Sequence, residues 1–286
     1  MADSRAGLAI GVDLGGTKIQ TAVVSEDGHV VASHRDATDV DGGAAKVAAD
    51  VVRCVRECAP DLSAIAAVGG GAAGQVDAES GRVRSAPTLR WTDFPLGEHL
   101  EQAPELPFAI EIDVRAITWG EWRHGAGKGI DDLIMLAVGT GVGGGIVSGG
   151  RLLSGDRGLA GELGHSTLVA GGRRCTCGRD GCLEAYTGGW AIAERAREAV
   201  EADPEAGRAL SDLAVGDELT AKHVSVAAAA GDPLATELLD ETGRYLGEAM
   251  VGLVQGVTPG RRGLGGGVLG GSSGWLGAGQ GGGRGG

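Results

Sequence analysis

His165, Cys175, Cys177 and Cys182 fall within eighteen residues. Three thiols and an imidazole form a complete ligand set for a tetrahedral, structural zinc ion, with bonds of about 2.0–2.3 Å. Gly178 and Gly181 let the chain turn tightly enough for three sulfurs to converge. Such an ion pins a loop and does no chemistry itself. The chemistry would come from the acids beside it, because Glu162 stands three residues before His165 and Glu184 two after Cys182. Fixing the ligands fixes the acids. The other reading of these cysteines is a disulfide with a spare thiol. A ring through Cys175-Thr176-Cys177 would be strained, and the opening M-A-D-S-R-A-G is no export signal. Cys54 and Cys58, four apart in an apolar-periodic stretch, have a possible metal spacing, but without a further ligand nearby they read as core thiols.

Two glycine-rich turns point to phosphate. The first is D-L-G-G-T-K, Asp13 to Lys18. Asp13 can hold Mg²⁺ directly or through water, Gly15 and Gly16 allow close backbone approach, and Thr17 and Lys18 can donate to phosphate oxygens. The second, G-T-G-V-G-G-G from Gly139, offers the Thr140 hydroxyl. Alone, each is a glycine-rich hairpin turn. Together, about 125 residues apart, they form an internal repeat of strand, glycine turn, strand and hairpin turn. Neither is a P-loop and neither opens a helix as a Rossmann turn does. Between them, Glu111-Ile112-Asp113 follows the apolar run Phe108 to Ile110. Asp113 at a strand end can accept a proton from an attacking sugar hydroxyl. It also suits the N-cap of a helix from Val114 to Trp122, and the two roles are compatible.

The elements that must position these residues read as follows. The first third is β-β-β-α-β, with strands at Leu8–Asp13, Lys18–Val24 and His29–His34, a helix at Ala44–Cys58 and a buried strand at Ala64–Val68. Asp132–Val138 opens the second unit. Trp190–Val200 reads as a solvated helix, and Asp232-Pro233 starts a long one that buries Ala235, Leu238, Leu239, Tyr245, Leu246, Met250 and Leu253 and runs to about Val257. His124 and His223 are expected at the surface or a helix end.

A chain of 286 residues most often makes two domains with a small-molecule cleft between them. The formal net charge of −13 argues against a nucleic-acid partner. No run of about 18 apolar residues occurs, so no membrane partner is expected and the location is expected to be cytoplasmic. After Pro259, fifteen of 27 residues are glycine. A segment so poor in apolar side chains is expected to be disordered, and a truncated or frame-shifted end is the expectation drawn from it.

Taken in order, D-L-G-G-T-K, the E-x-D step, G-T-G-V-G-G-G, E-L-G-H and C-x-C-G-x-x-G-C-L-E resemble the ROK family of bacterial sugar kinases and sugar-responsive repressors, over residues from about 8 to 259. The resemblance implies an α/β chain of the actin/hexokinase-like fold, with two ribonuclease-H-like domains, ATP between them and a hexose deep in the cleft. The expected division is 1–113, 114–259 with the zinc loop, and a degenerate tail at 260–286. The resemblance implies Asp113 as catalytic base and Glu162, His165 and Glu184 as ligands of the sugar hydroxyls, His165 binding zinc as well. Gly74, in the turn Ala73-Gly74, would face the sugar. Asp13 to Lys18 and Thr140 to Gly143, Gly141 included, would be the phosphate loops, and Gly265 to Gly267, centred on Gly266, the adenosine side. The implied activity is ATP-dependent phosphorylation of a hexose at its 6-hydroxyl, glucose foremost, with structural Zn²⁺ and with Mg²⁺ on the ATP. N-acetylglucosamine or N-acetylmannosamine as substrate and polyphosphate as donor stay open, and a homodimer is expected because family members commonly pair.

Two residues depart from the family pattern. Ile112 stands where the family usually has Asn, and leaving a sugar hydroxyl unpaired costs on the order of 1–3 kcal/mol. Thr88 stands where an Asn is usual. Both are expected on the sugar side. Ile112, together with a Gly-rich end in which the family's closing helix, strand and helix are not recognisable, motivates a second reading, a relative that binds sugar poorly or not at all and is catalytically impaired. A sugar-responsive repressor would need a winged-helix region, and about a dozen residues precede Asp13.

Overall fold

The computed structural model describes residues 7–101, 106–156 and 158–266. The chain divides into two compact units, Met1–Gly129 with Leu152–Ala160, and Ile130–Arg151 with Gly161–Gly286.

The first unit is built on alternating apolar strands. β1 (Leu8–Leu14), β2 (Lys18–Ser25) and β3 (Val30–Ala37) form an antiparallel meander, followed by α1 (Ala44–Cys58) and β4 (Ile65–Ala72). A small antiparallel sheet of β5 (Gln75–Asp77), β6 (Arg82–Ala86) and β7 (Trp91–Phe94) comes next, then α2 (Leu96–Glu101), β8 (Phe108–Ile112) and α3 (Asp113–Arg123). The main sheet has the order β3-β2-β1-β4-β8, with β4 parallel to both β1 and β8. α1 buries Val47, Val51, Cys54, Val55 and Cys58, positions at helical spacing, among Ile10, Leu14, Ile19 and Val68 from the sheet. Both cysteines are free core thiols, as expected.

The second unit repeats the pattern. β9 (Leu133–Val138) and β10 (Val142–Ser148) are antiparallel and β11 (Arg151–Leu152) follows. Then come α4 (Glu184–Thr187), α5 (Gly189–Ala202), α6 (Arg208–Leu213), α7 (Ala221–Ala229), α8 (Pro233–Val257) and β12 (Arg261–Gly265), and the sheet order is β11-β10-β9-β12. Asp232 caps α8 by accepting the Ala235 N–H at 2.8 Å, with Pro233 in the first turn. Arg195 of α5, 7% exposed, ion-pairs with Glu241 and donates to Thr242 Oγ1 and Tyr186 O, both at 3.0 Å, which ties α5 to α8.

Two expectations are corrected. Residues 261–265 are not disordered: they pair in parallel with β9, Leu264 opposite Leu136. Ladder hydrogen bonds come from the backbone, so Arg-Arg-Gly-Leu-Gly can form a strand beside an apolar one, with Leu264 alone packing on the core cluster. The expectation for 267–286 lies outside the described residues. Asp113 is not the N-cap of α3, since Ile112 holds that position and Asp113 is the first helical residue. The helix that follows Asp113 lies within the first compact unit, which runs to Gly129 and includes Leu152–Ala160. The two histidines lie where helix ends place them. His124 is the C-cap of α3, and His223 Nδ1 accepts the Thr220 N–H at 3.2 Å in the capping box of α7. No described helix is long and apolar enough to cross a membrane.

Candidate active site

In the first unit, the turn from β1 to β2 closes with Gly15 N–H donating to Lys18 O at 3.0 Å, and Thr38 Oγ1 donates to Gly15 O at 2.7 Å. Asp13 is exposed at the end of β1, and its Oδ2 lies 3.2 Å from Lys18 Nζ. Thr17 is exposed. A Cβ on Gly16 would stand 2.6 Å from Thr88 O and 2.9 Å from Thr88 Cβ, so Gly16 is required by close packing. Thr88, expected on the sugar side, therefore also backs the first glycine turn. Gly74 has φ +112°, and a Cβ there would collide with Ser85 O.

Asp113 is set at the carboxyl end of β8, with its Oδ1 accepting the Val114 N–H at 2.7 Å. Gly71 of β4 permits this position, since a Cβ on it would lie 2.8 Å from Asp113 Cα. Ile112 is 6% exposed and belongs to the apolar cluster of the first unit. Arg115, 1% exposed, was not singled out by sequence, although Glu111 and Arg115 are four apart on the chain. Its Nη2 lies 3.0 Å from Glu111 Oε2 and donates to Ser154 Oγ at 2.9 Å, and its Nη1 donates to Gly158 O at 2.7 Å. This buried cation fastens the segment 154–158 to the head of α3.

In the second unit the turn after β9 spans Gly139 to Gly141, with Gly143 already in β10 opposite Ala137. Gly139 O and Thr140 O accept N–H groups from Gly189 (2.9 Å) and Trp190 (3.1 Å) at the start of α5. Gly266 has φ +109°, and a Cβ on it would run into Val138 O, so its backbone passes against the residue preceding the turn. The structure thus brings Gly266 to the second glycine turn. The glycines of β10 have a use that the sequence did not reveal. A Cβ on Gly144 would lie 2.5 Å from Leu163 Cδ1, and one on Gly164 would strike Val142 O, so the segment from Gly161 to His165 lies flat on β10. That contact sets Glu162 and His165, whose Oε2 and Nε2 are 3.9 Å apart.

His165, Cys175, Cys177 and Cys182 present one ligand atom each, all within 4.8 Å of one another, and could hold a metal ion. His165 Nδ1 is 3.7 Å from Cys175 Sγ, and Cys177 Sγ is 3.7 Å from Cys182 Sγ. All four cysteine and histidine side chains converge without a disulfide. Burial pushes the Cys175 thiol up to about 12, and a divalent cation at this site would supply the charge that releases the thiolates. The donor set fits zinc. Arg173 anchors the loop to α5 through Glu194 (3.0 Å) and Glu198 (2.6 Å). Glu184, 7% exposed, accepts the Val142 N–H at 2.8 Å and lies 3.2 Å from Thr176 Oγ1 and 3.3 Å from Trp190 Nε1. A second cluster, His34, Asp36 and Cys54, already contains a cation: Arg53 Nη1 is 2.6 Å from Asp36 and 3.2 Å from Glu57.

The sequence pattern of the ROK family matches residues 9–273. The chain belongs to the ROK family. Among its relatives, the glucokinase of Streptomyces coelicolor is 38% identical over 249 residues, covering 86% of this chain and 78% of that protein. The glucokinase of Halalkalibacterium halodurans is 36% identical over 264 residues, covering 91% and 80%. The crystal structure of a ROK family glucokinase from Streptomyces griseus in complex with glucose and AMPPNP is similar at a TM-score of 0.85 and 38% identity, over 96% of this chain and 88% of that one. The chain is a sugar kinase of actin/hexokinase-like fold, the α/β class expected from its motifs.

Proposed function

We propose that this ROK protein transfers the γ-phosphoryl group of ATP to the 6-hydroxyl of glucose. The observation that carries the reading is the likeness to the Streptomyces griseus glucokinase bound to glucose and AMPPNP, over nearly the whole chain. In this reading Asp113 accepts the proton of the hydroxyl as its oxygen attacks phosphorus, and the phosphorus–oxygen bond to ADP breaks in line. The glycine turns at Asp13–Lys18 and Thr140–Gly143 cradle phosphates, Lys18 and Thr140 adding donors, and Asp13 orients the Mg²⁺ that accompanies ATP. Gly266 gives the adenosine side a backbone without a side chain. Glu162, His165 and Glu184 bind ring hydroxyls, Gly74 faces the sugar, and zinc, which His165, Cys175, Cys177 and Cys182 would hold, would supply rigidity alone. Five free cysteines, with Cys177 exposed, suit the reducing cytoplasm.

A coupled assay with glucose, N-acetylglucosamine, N-acetylmannosamine, mannose and fructose, each with ATP and with polyphosphate, tests the reading. Glucose with ATP is expected to give the highest kcat/KM. A folded, zinc-loaded protein that turns over none of these would overturn it in favour of the impaired sugar binder that Ile112 motivates.

A further inference from the structure

We infer that Glu184 is a positioning residue that joins the metal loop to the glycine turn at Gly139–Val142, so that ordering of the loop sets the geometry of the nucleotide side. This rests on the kinase reading above for what the turn binds. A carboxylate left 7% exposed needs partners, and each of its oxygens faces a different loop. Oε2 accepts the Val142 N–H at 2.8 Å and sits against Gly141, where a Cβ would lie 2.5 Å from that oxygen and displace it. Oε1 accepts from Thr176 Oγ1 at 3.2 Å and from Trp190 Nε1 at 3.3 Å. Thr176 lies between Cys175 and Cys177, so holding those two residues on an ion holds the backbone that carries its hydroxyl. Trp190 opens α5 and its backbone N–H holds Thr140 O at 3.1 Å, which closes a second connection from the same carboxylate to the same turn. A carboxylate offers about four acceptor sites. Three are taken by these donors, so the position of Glu184 is decided by the two loops, and at most one site is left for a sugar hydroxyl.

The test uses hydrogen exchange of the whole protein, which needs no turnover, alongside steady-state kinetics. In the wild type, removing zinc with a chelator is expected to speed exchange in the peptide containing Val142 by about tenfold or more, the effect of losing one charge-assisted hydrogen bond. In Thr176→Val and Trp190→Phe, checked for zinc content and for cooperative unfolding, the same peptide should exchange faster with zinc present. KM for ATP should rise several-fold, KM for glucose should stay within about twofold, and Thr176→Ser should restore both readouts. Exchange around Val142 that ignores zinc, or variants that raise KM for glucose and leave KM for ATP unchanged, would overturn the inference. If Thr176→Val loses the ion, Trp190→Phe decides. A protein without kinase activity would still report the coupling by exchange, so failure of this inference and failure of the proposed function are separable.

Discussion

Replacing Ile112 by Asn sets two opposed effects against each other. Ile112 is 6% exposed in the apolar cluster of the first unit, opposite Ala72 in the sheet. Withdrawing that side chain from its cluster forfeits about 1.5–3 kcal/mol of burial. An amide placed there without full pairing costs about 1–3 kcal/mol more. The expected loss is therefore about 2.5–6 kcal/mol of unfolding free energy. If the position also faces the sugar, as the family pattern implies, the amide gains one hydrogen bond of about 0.5–1.5 kcal/mol, which lowers KM for glucose by about 2- to 13-fold. Urea unfolding gives the first quantity, and initial rates at saturating ATP give the second. Ile112→Val is the control: about 0.5–1.5 kcal/mol of stability should go, with KM unchanged. A stable Ile112→Asn protein whose KM for glucose is unchanged or higher would refute the sugar-side reasoning. An unfolding free energy equal to the wild type would refute the packing reasoning.

Arg115→Met should cost about 3–5 kcal/mol, because it leaves Glu111, Ser154 and Gly158 O without their buried partner. A loss under about 1 kcal/mol in urea would mean that the 154–158 segment rehydrates freely. Gly164→Ala should lift Glu162 and His165 off β10 where a Cβ strikes Val142, at a cost of about 3 kcal/mol. Zinc content and KM for glucose should both suffer, and normal values for both would contradict the packing described. Burial raises the Asp50 carboxyl, but Lys46 and Arg53 outweigh it and hold it below the usual range. A depressed folded pKa contributes stability that is present above the unfolded value near ~3.9 and is lost as pH falls through the folded one. Asp50→Asn should therefore flatten the acid limb of stability below about pH 4, and an unaltered slope in an acid titration would contradict this.

The parts of the fold that were legible in the sequence share a physical basis: one dominant periodicity. α1 buried the residues that helical spacing selects, α8 buried Ala235, Leu238, Leu239 and Leu246 while leaving Tyr245, Met250 and Leu253 partly buried, and β1, β2 and β9 fell where alternation or an apolar run placed them. β12 was hidden because its stability comes from a neighbouring backbone and a single leucine. In the site, the convergence of His165 with three cysteines was legible because metal-ligand chemistry restricts both residue types and spacing. Arg115 was hidden because its partners, Ser154 and Gly158, are about forty residues away in sequence. The glycines of β10 read as a phosphate motif, and Gly144 proved to be needed for packing Leu163, a tertiary contact that no local pattern encodes.

The most direct measurement is the rate of ATP-dependent glucose 6-phosphate formation by zinc-loaded protein, compared between the wild type and Asp113→Asn. With Asp113 as the proton acceptor, the wild type should turn over and the variant should lose at least about 10²-fold in kcat with little change in KM for glucose. Equal rates for the two proteins, with both folded, would contradict the account.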